Sequence, residues 1–394
     1  MSSAEFIPEA PDGHRIAVIN HANLAHNIRV IKDWVAPAQL MAVVKADAYG
    51  HGLIPVARTV LEAGASWLGV VLVEEALQLR AAGITSPTLA WLHAPGTDFA
   101  QAVEHNIDLG VSGWELPYIA SVAEQMGTPA KIHLKIDTGL GRNGCVPEQW
   151  EDLVKTAARY QQQGLIRTVG VFSHLAVADE PEREEDVDEQ LRVFHWAVER
   201  ARTHGLTIDL RNIANSPAIL SRPDTHLDLV RAGVAIYGLS PFADRCAEDL
   251  GLRPVMSLRT RVANNKPVPK GQGVSYGYLY HTSAPTRLAL IPLGYADGIP
   301  RIAREAPVWI DGTIYRSCGR VAMDQFVVDL HISPEDTVTA PVGAEVELFG
   351  ERSGLSAAHW AQSAGTINYE IVSRISQRVP RQHIYPHVSE GIDG

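Results

Sequence analysis

Several short motifs place lysine, arginine, histidine and hydroxyl side chains directly behind apolar runs that have the pattern of β-strands. They are Lys45 in 42–52, Lys135 and Arg142 in 135–142, Ser173-His174, Asn215-Ser216, and Arg231 with Gly233. A lysine behind an apolar run is partly desolvated, which lowers its pKa and suits it to Schiff-base formation with a carbonyl. Arginines, hydroxyls and closely approaching backbone suit a phosphate and a carboxylate. Together these groups predict a pyridoxal phosphate pocket.

Each motif is weak evidence by itself. A lysine after a strand is usually solvated, a single histidine such as His174 is usually a hydrogen-bonded polar residue, and the Thr-Gly-x-Gly pattern at 138–141 is usually only a turn. The pyridoxal phosphate pocket is predicted only from the combination of these motifs. An ordinary barrel enzyme that uses another set of residues stays open as the alternative at this point.

The elements that must position these residues alternate between β-branched runs and helical patterns. Predicted strands cover 40–44, 67–72, 88–92, 107–111, 131–136, 168–172, 210–214 and 230–236. Amphipathic stretches separate them, and the first has Asn20 as its N-cap. Eight strands that alternate with helices favour a (β/α)8 TIM-type barrel of the α/β class, with its active site at the carboxyl ends of the strands. An open doubly wound sheet is disfavoured, because the chain has no G-x-G-x-x-G motif.

From about residue 249 the pattern changes to strands separated by glycine and proline turns. Predicted strands cover 255–262, 287–292, 308–310, 326–330 and 345–349, with one helix at 355–364. We therefore expect a barrel over 21–245 and a mainly β domain over 246–394. The early strand 15–19 precedes the barrel, and we expect the N-terminal segment 1–20 to pair with the β domain.

Composition excludes several classes of protein. The chain has 394 residues, of which 46% are apolar and 20% charged, so it should fold as a globular protein of about two domains. Its 34 Lys and Arg against 45 Asp and Glu give a net charge of −11, which argues against nucleic acid as a partner. No apolar run approaches the ~20 residues of a membrane span, and residues 1–12 lack a secretory pattern. Three scattered cysteines predict neither a disulfide framework nor a metal site, so we expect a cytoplasmic protein.

The motif at 42–52 resembles the cofactor-lysine signature of the alanine racemases, and the resemblance extends along nearly the whole chain. Matching segments are 135–142, 173–174, 214–216, 230–238, 274–277, 294–298, 319–325 and 366–370. The resemblance implies a pyridoxal 5'-phosphate barrel followed by a β domain. It also implies a homodimer in which each active site borrows residues from the partner's β domain, with an amino acid as the substrate.

Carried over residue by residue, the resemblance makes Lys45 the residue that holds the cofactor as a Schiff base and acts as one base. Tyr276 of the other subunit would be the second base. Racemisation removes a proton from one face of the α-carbon and returns it to the other, so it needs two bases on opposite faces. The implied reaction interconverts L- and D-alanine, which would supply D-alanine for peptidoglycan.

The resemblance also assigns residues to the cofactor and the substrate. Arg231 would face the pyridine nitrogen, and His174 would orient Arg231. Because a guanidinium keeps its proton, the ring nitrogen would stay unprotonated, which favours racemisation over transamination. The phosphate would be held by Tyr49, Ser216, Tyr369 and the N–H groups of Gly233 and Val234, with Asn215 in the same wall.

On the substrate side, Arg142 would bind the carboxylate through its guanidinium. Lys135 matches a lysine that is carbamylated in many members, where it steadies this arginine. Met323 of the partner chain would present its N–H to the carboxylate, and Tyr295 and Tyr369 would narrow the entrance. One departure from the family is Ala322, where many relatives have cysteine, so we expect no inactivation by thiol reagents in the entrance. Another is Leu140 in place of a frequent methionine.

Three alternatives are weighed against this interpretation. A racemase of wider scope, acting on serine or basic amino acids, would differ in its pocket walls and not in its bases. Barrel-type decarboxylases pair the ring nitrogen with an acid, against which Arg231 argues. Small non-catalytic carriers of the cofactor lack the second domain and the Tyr276 motif, both of which this chain has.

Overall fold

The computed structural model describes residues 15–385, and the chain divides into two compact units. One unit comprises residues 24–48 and 52–253. The other comprises the described residues up to 23, residues 49–51 and those from 254 onward. The division after residue 253 lies downstream of the expected one after 245, because residues just before it bond to the first helix: Asn27 Nδ2 donates to Arg253 O over 2.8 Å. The expectation for residues 1–12 lies outside the described residues.

The first unit contains eight parallel strands in one nearly closed sheet, which confirms the predicted fold class. The strand order is β8-β7-β6-β5-β4-β3-β2-β9, so β2 to β8 pair in sequence order, β9 pairs with β2, and β8 and β9 are the two edges of the sheet. The strands are β2 Gln39–Val43, β3 Trp67–Val70, β4 Thr88–Ala90, β5 Asp108–Val111, β6 Ala130–Lys135, β7 Ile166–Phe172, β8 Leu210–Asn212 and β9 Leu229–Ala232. Parallel pairing brings all their carboxyl ends to one face of the barrel.

Helices connect these strands, and one of them, Lys45–Gly50, is a short left-handed turn. They are α1 His21–Val35, α2 Lys45–Gly50, α3 Leu53–Glu62, α4 Val73–Ala81, α5 Phe99–Glu104, α6 Glu115–Met126, α7 Pro147–Gln162, α8 Glu184–Thr203 and α9 Ser216–Ser221. Asn20 caps α1 as predicted, since its Oδ1 accepts the N–H of Ala22 and of Asn23. Inside the barrel a buried apolar cluster contains Met41, Trp67, Leu89, Val169, Leu210 and Leu229.

The second unit is built on a nine-stranded sheet with the order β11-β14-β17-β16-β15-β18-β10-β1-β19. Strands β12 and β13 form a separate two-stranded sheet. Its strands are β1 Arg15–Asn20, β10 Met256–Arg261, β11 Asn264–Val268, β12 Gly273–Val274, β13 Tyr280–His281, β14 Thr286–Ile291, β15 Pro307–Ile310, β16 Thr313–Cys318, β17 Phe326–Asp329, β18 Glu345–Phe349 and β19 Arg381–Ile384. Its helices are α10 Ala357–Ala364 and α11 Asn368–Ser373. The early strand β1 pairs antiparallel with β10 and parallel with β19.

Sequence patterning misses the more polar strands of this unit. β11 and β16 are partly exposed and lack a clear apolar alternation, and β19 has the sequence RQHI. Their pairing partners, and not their own composition, hold them as strands. Within residues 15–385, no helix is both long enough and apolar enough to span a membrane.

Candidate active site

Lys45 follows β2 after one intervening residue, Val44, and opens a short left-handed turn. Ala46, Asp47, Ala48 and Tyr49 have φ values of 53°, 53°, 54° and 54°. Left-handed backbone costs roughly 1–2 kcal/mol per residue without glycine, so side chains must hold the turn. Two carboxylates do so: Glu75 Oε1 accepts the Ala46 N–H over 2.6 Å, and Asp47 Oδ1 accepts the Leu53 N–H over 2.7 Å.

Glu75 links this turn to the next strand of the barrel. Its Oε2 also accepts the N–H groups of Val71 and Leu72, at 2.9 and 3.1 Å, where β3 leads into α4. Burial lowers the pKa of the Lys45 ammonium, the charges of Arg142 and Arg231 lower it further, and the Glu75 carboxylate raises it. The net direction is downward, so neutral amine is more abundant than for a lysine in water.

Arg231, on β9, is 6% exposed, and among residues 15–385 its hydrogen-bond partners are all neutral acceptors. Its Nη1 donates to Asn212 Oδ1 over 2.5 Å and to Asn212 O over 3.2 Å. Its Nη2 donates to Ser173 O over 2.6 Å and contacts His174 Nδ1 at 3.1 Å. A guanidinium has five N–H bonds, so within residues 15–385 the Nε–H is the donor left over. Burial and the nearby Arg142 lower the pKa of Arg231 to about 10, so it stays charged at neutral pH.

His174 acts as an acceptor toward Arg231. Because the guanidinium can only donate, His174 Nδ1 must be unprotonated, which places any ring proton on Nε2. Burial lowers the pKa of His174 well below its ordinary value, and the positive charges of Arg231 and Arg142 lower it further. His174 is therefore a neutral ring at physiological pH.

Lys135, at the end of β6, is 7% exposed and lies over the ring of Phe172, with its Nζ 5.4 Å from the centroid. The Arg231 guanidinium carbon lies 5.8 Å from the same centroid. Burial lowers the pKa of Lys135 to about 8, and the charges of Arg231 and Arg142 contribute. A substantial fraction of this lysine is therefore neutral in mildly alkaline solution.

The loop that carries Arg142 is shaped by Asp137. The Oδ1 of Asp137 accepts the N–H of Gly139 at 3.0 Å and that of Gly141 at 3.1 Å. Cys145 closes the loop through main-chain bonds to Lys135 O and from the Asp137 N–H. Arg142 is exposed, and the structure gives it no hydrogen bond or ion pair to any described residue. Its guanidinium is thus available to an added anion.

Ser216 and Gly233 meet where β8 and β9 end. The Gly233 N–H donates to Ser216 Oγ over 2.9 Å, and the Ala235 N–H is 3.4 Å from the same oxygen. The Val234 N–H has no acceptor among residues 15–385. Asn215 caps α9 through its Oδ1 and donates from Nδ2 to Leu175 O over 3.2 Å. The Gly233 N–H thus orients Ser216, whereas sequence reasoning expected it to bind phosphate itself.

The second unit holds the other predicted residues. Tyr49 is 8% exposed, and its ring centroid lies 6.3 Å from that of Tyr369. Burial raises the pKa of the Tyr49 phenol, and Tyr369 raises it further, so Tyr49 is a neutral hydroxyl donor. Tyr295 and Met323 lie on adjoining segments, because the Ala296 N–H donates to Met323 O over 2.9 Å.

Tyr276 follows β12 and is 68% exposed. The preceding Ser275 has a φ of 58°, and its Oγ donates to Arg320 O over 2.7 Å. This bond fixes the turn that presents the phenol. Tyr276 is therefore a well-anchored residue with an exposed ring.

Sequence reasoning missed Glu75, Asn212, Phe172 and Asp297. Glu75 lies soon after β3, and Asn212 and Phe172 end β8 and β7, so the rule that sites gather at strand ends could have identified all three. Asp297 gives a weaker signal. It lies inside the Gly294–Gly298 motif, but only the fold shows that it is fully buried.

The structure combines a parallel barrel, with a desolvated lysine and a buried arginine at its strand ends, and a β domain with an exposed tyrosine. This combination matches the class predicted from the sequence, a pyridoxal phosphate enzyme of the barrel type. Two family models match the chain: "Alanine racemase, N-terminal domain" over residues 19–241 and "Alanine racemase, C-terminal domain" over 255–383. The chain belongs to the alanine racemase family, whose members depend on pyridoxal phosphate. The expectation of an alanine racemase is thereby confirmed.

Individual relatives match over almost their full length. An alanine racemase of Beutenbergia cavernae is 49% identical over 372 residues, which cover 93% of this chain and 97% of the relative. The crystal structure of an alanine racemase from Streptomyces lavendulae is 47% identical, with a TM-score of 0.92 over 95% of this chain and 98% of that one. A Bacillus anthracis alanine racemase with bound L-Ala-P is 34% identical, with a TM-score of 0.84 over 95% of this chain and 96% of that one.

Proposed function

We propose that the protein interconverts L- and D-alanine by two-base proton transfer, with Lys45 and Tyr276 as the bases. The observation that carries the proposal is Arg231, a buried guanidinium whose partners among the described residues are all neutral acceptors and which keeps one N–H donor without a partner there. A donor that keeps its proton leaves a pyridine nitrogen unprotonated, which suits racemisation. The Bacillus anthracis relative has L-Ala-P bound, which supports an alanine-sized substrate.

The described residues fit pyridoxal 5'-phosphate. The remaining Nε–H of Arg231 can donate a hydrogen bond to the ring nitrogen of the cofactor. The lowered pKa of Lys45 favours the neutral amine, which is the form that reacts with the aldehyde of the cofactor. The Ser216 hydroxyl and the Val234 N–H would supply uncharged donors for the phosphate, and the phenols of Tyr49 and Tyr369 would add to them. Gly233 would contribute by orienting Ser216, and Asn215 would form part of the same wall. When bound, this cofactor supplies the electron sink that makes the α-proton of an amino acid removable.

The residues of the chain then perform the remaining tasks. The neutral amine of Lys45 takes the proton from one face of the α-carbon, and the phenol of Tyr276 gives a proton to the other face. Arg142 binds the substrate carboxylate, and we propose that Lys135 is carbamylated and steadies Arg142. His174, as a neutral acceptor, holds Arg231 in orientation.

The second base would come from the partner subunit of a homodimer. The barrel of one subunit would hold the cofactor, and the β domain of its partner would supply Tyr276 and Met323. The high exposure of apolar side chains in the second unit supports this arrangement: Tyr276 is 68%, Ile302 69% and Met323 52% exposed. Exposed apolar groups of this size commonly mark a surface that a partner covers. Tyr295 would narrow the entrance. A supply of D-alanine for peptidoglycan and a cytoplasmic location follow as further predictions.

The test is a coupled D-alanine assay with the purified protein and pyridoxal phosphate. We expect D-alanine from L-alanine at a higher rate than from a panel of other L-amino acids, and a Schiff-base absorbance band. Lys45→Ala should lose both, while Lys155→Ala, a lysine 56% exposed on α7, should keep both. A band that survives in Lys45→Ala, or no D-alanine from the wild type, would refute the proposal.

A further inference from the structure

Two segments of the second unit are joined through their main chains. The Tyr295 N–H donates to Ala322 O over 3.0 Å, and the Ala296 N–H donates to Met323 O over 2.9 Å. A Cβ placed on Gly294 would lie 2.2 Å from Met323 O, so glycine is required for the two chains to approach this closely. The position of Met323 therefore depends on the turn at 294–298.

The side chain of Asp297 stabilises that turn through hydrogen bonds. Its side chain is fully buried, its Oδ2 accepts the Gly294 N–H over 2.9 Å, and its Oδ1 accepts from Arg15 over 2.6 Å. Arg378 Nε lies 3.5 Å from the same Oδ1, and Arg378 Nη2 donates to Asp324 Oδ1 over 2.7 Å. The carboxylate thus fixes the turn directly and, through Arg378, fixes the residue after Met323.

The group that this framework holds is a main-chain donor. Within the described part of the chain, the Met323 N–H has no acceptor. A hydrogen bond from such a donor to an anion depends on distance and angle, so a small displacement weakens it. A donor on an irregular segment needs neighbouring contacts to keep its direction, and the bonds around Asp297 supply them.

We propose that Asp297 is a positioning residue, which acts through Gly294 and Arg378 to aim the Met323 N–H at the substrate carboxylate. The inference rests on the proposed function, in which that N–H binds the carboxylate. Asp297 itself touches neither the substrate nor the cofactor. Its effect is on substrate binding and not on proton transfer.

Glu347 offers a matched comparison in the same unit. It is 1% exposed, accepts from Arg259 Nε over 2.8 Å and accepts the Ser353 N–H over 2.8 Å. Asp297 and Glu347 are thus both buried carboxylates with an arginine and a main-chain partner. Glu347 lies on β18, outside the segments that carry Tyr295 and Met323. A purely structural carboxylate would behave as Glu347 does.

The experiment compares Asp297→Asn with Glu347→Gln in the cofactor-loaded enzyme. For Asp297→Asn we expect KM for L-alanine to rise about tenfold with kcat changed less than about threefold, since the lost contact serves ground state and transition state alike. Amide hydrogen exchange should accelerate in peptides covering 294–298 and 320–326. Glu347→Gln should leave KM and the exchange of these peptides at wild-type values.

Arg378→Gln gives a second arm that removes a partly exposed side chain. We expect about a threefold rise in KM and faster exchange at 320–326. If Asp297→Asn does not fold, this variant decides. Unchanged KM and exchange in Arg378→Gln, or an equal rise of KM in Glu347→Gln, would overturn the inference. An inactive wild type would instead refute the proposed function, and the exchange measurement would still report whether Asp297 and Arg378 hold the segment.

Discussion

The substitution Arg231→Glu should change both the stability of the barrel and the outcome of the reaction. It removes four hydrogen bonds, two to Asn212, one to Ser173 and one to His174. At about 1 kcal/mol for each bond, the loss is about 4 kcal/mol. For a domain of this size the melting temperature should fall by about 10 °C.

The reaction outcome changes because an acid replaces a group that keeps its proton. The new carboxyl would lie beside Ser173 O and Asn212 Oδ1, whose lone pairs disfavour its anion, so its pKa is raised. A carboxylic acid here can protonate the pyridine nitrogen and strengthen electron withdrawal by the cofactor. The proton should then return to the cofactor more often, and the fraction of transamination should rise by about tenfold or more.

Melting of the cofactor-free protein measures the first effect, and pyridoxamine phosphate formed per D-alanine produced measures the second. Arg80→Glu is the matched control, because Arg80 also lies in the first unit and its hydrogen-bond partners in the described part of the chain are all neutral acceptors. Its partners are His105 O, Ile84 O, Ser86 O, Thr88 Oγ1 and Asn106 O. It should melt lower without added transamination. If Arg231→Glu loses stability without a rise in transamination, Arg231 does not control the choice between racemisation and transamination.

Three further predictions concern other side chains. Because the pKa of Lys135 is about 8, its neutral fraction grows as pH rises through 8. The carbamate signal in 13C NMR should therefore be stronger at pH 9 than at pH 7 and absent in Lys135→Arg. A pH-independent signal would contradict this prediction. A thiol-alkylating reagent should modify the exposed Cys246 and spare Cys318, because burial raises the pKa of the Cys318 thiol to about 12. The alkylated enzyme should keep its activity. Inactivation with the label at the substrate entrance would contradict this prediction. Glu75→Gln removes a negative charge that raises the pKa of Lys45, so cofactor binding to the cofactor-free enzyme should persist to lower pH than in the wild type. An unchanged pH profile would argue against this effect of Glu75.

The barrel was predictable because its strands are short, apolar and regularly spaced. The carboxyl ends of the strands were less predictable. The expected strand 230–236 ends at Ala232, since Gly233 leads into a buried 3-10 turn at Val234–Tyr237 that is as apolar as a strand. The turn therefore extends the apolar pattern beyond the sheet, and composition does not distinguish the two.

Residues that lie directly behind strands were found from the sequence, because the topology of a parallel barrel places them on one face. The left-handed turn after Lys45 was not predicted, because the residue types of Ala46, Asp47 and Ala48 do not distinguish it from a right-handed helix. Glu75 holds that turn from a distant position in the chain. The role of Asp297 likewise depends on Arg15 and Arg378, which no local pattern connects.

The two-base mechanism across two subunits can be tested by mixing two inactive variants, Lys45→Ala and Tyr276→Phe, under conditions that exchange subunits. A mixed dimer would contain one site with both bases intact and one with neither. With equal amounts, half of the dimers are mixed and half of their sites are intact, so about one quarter of wild-type racemase activity should return. A mixture that stays as inactive as its parents, although mixed dimers are shown to form, would contradict the claim that the two bases come from different chains.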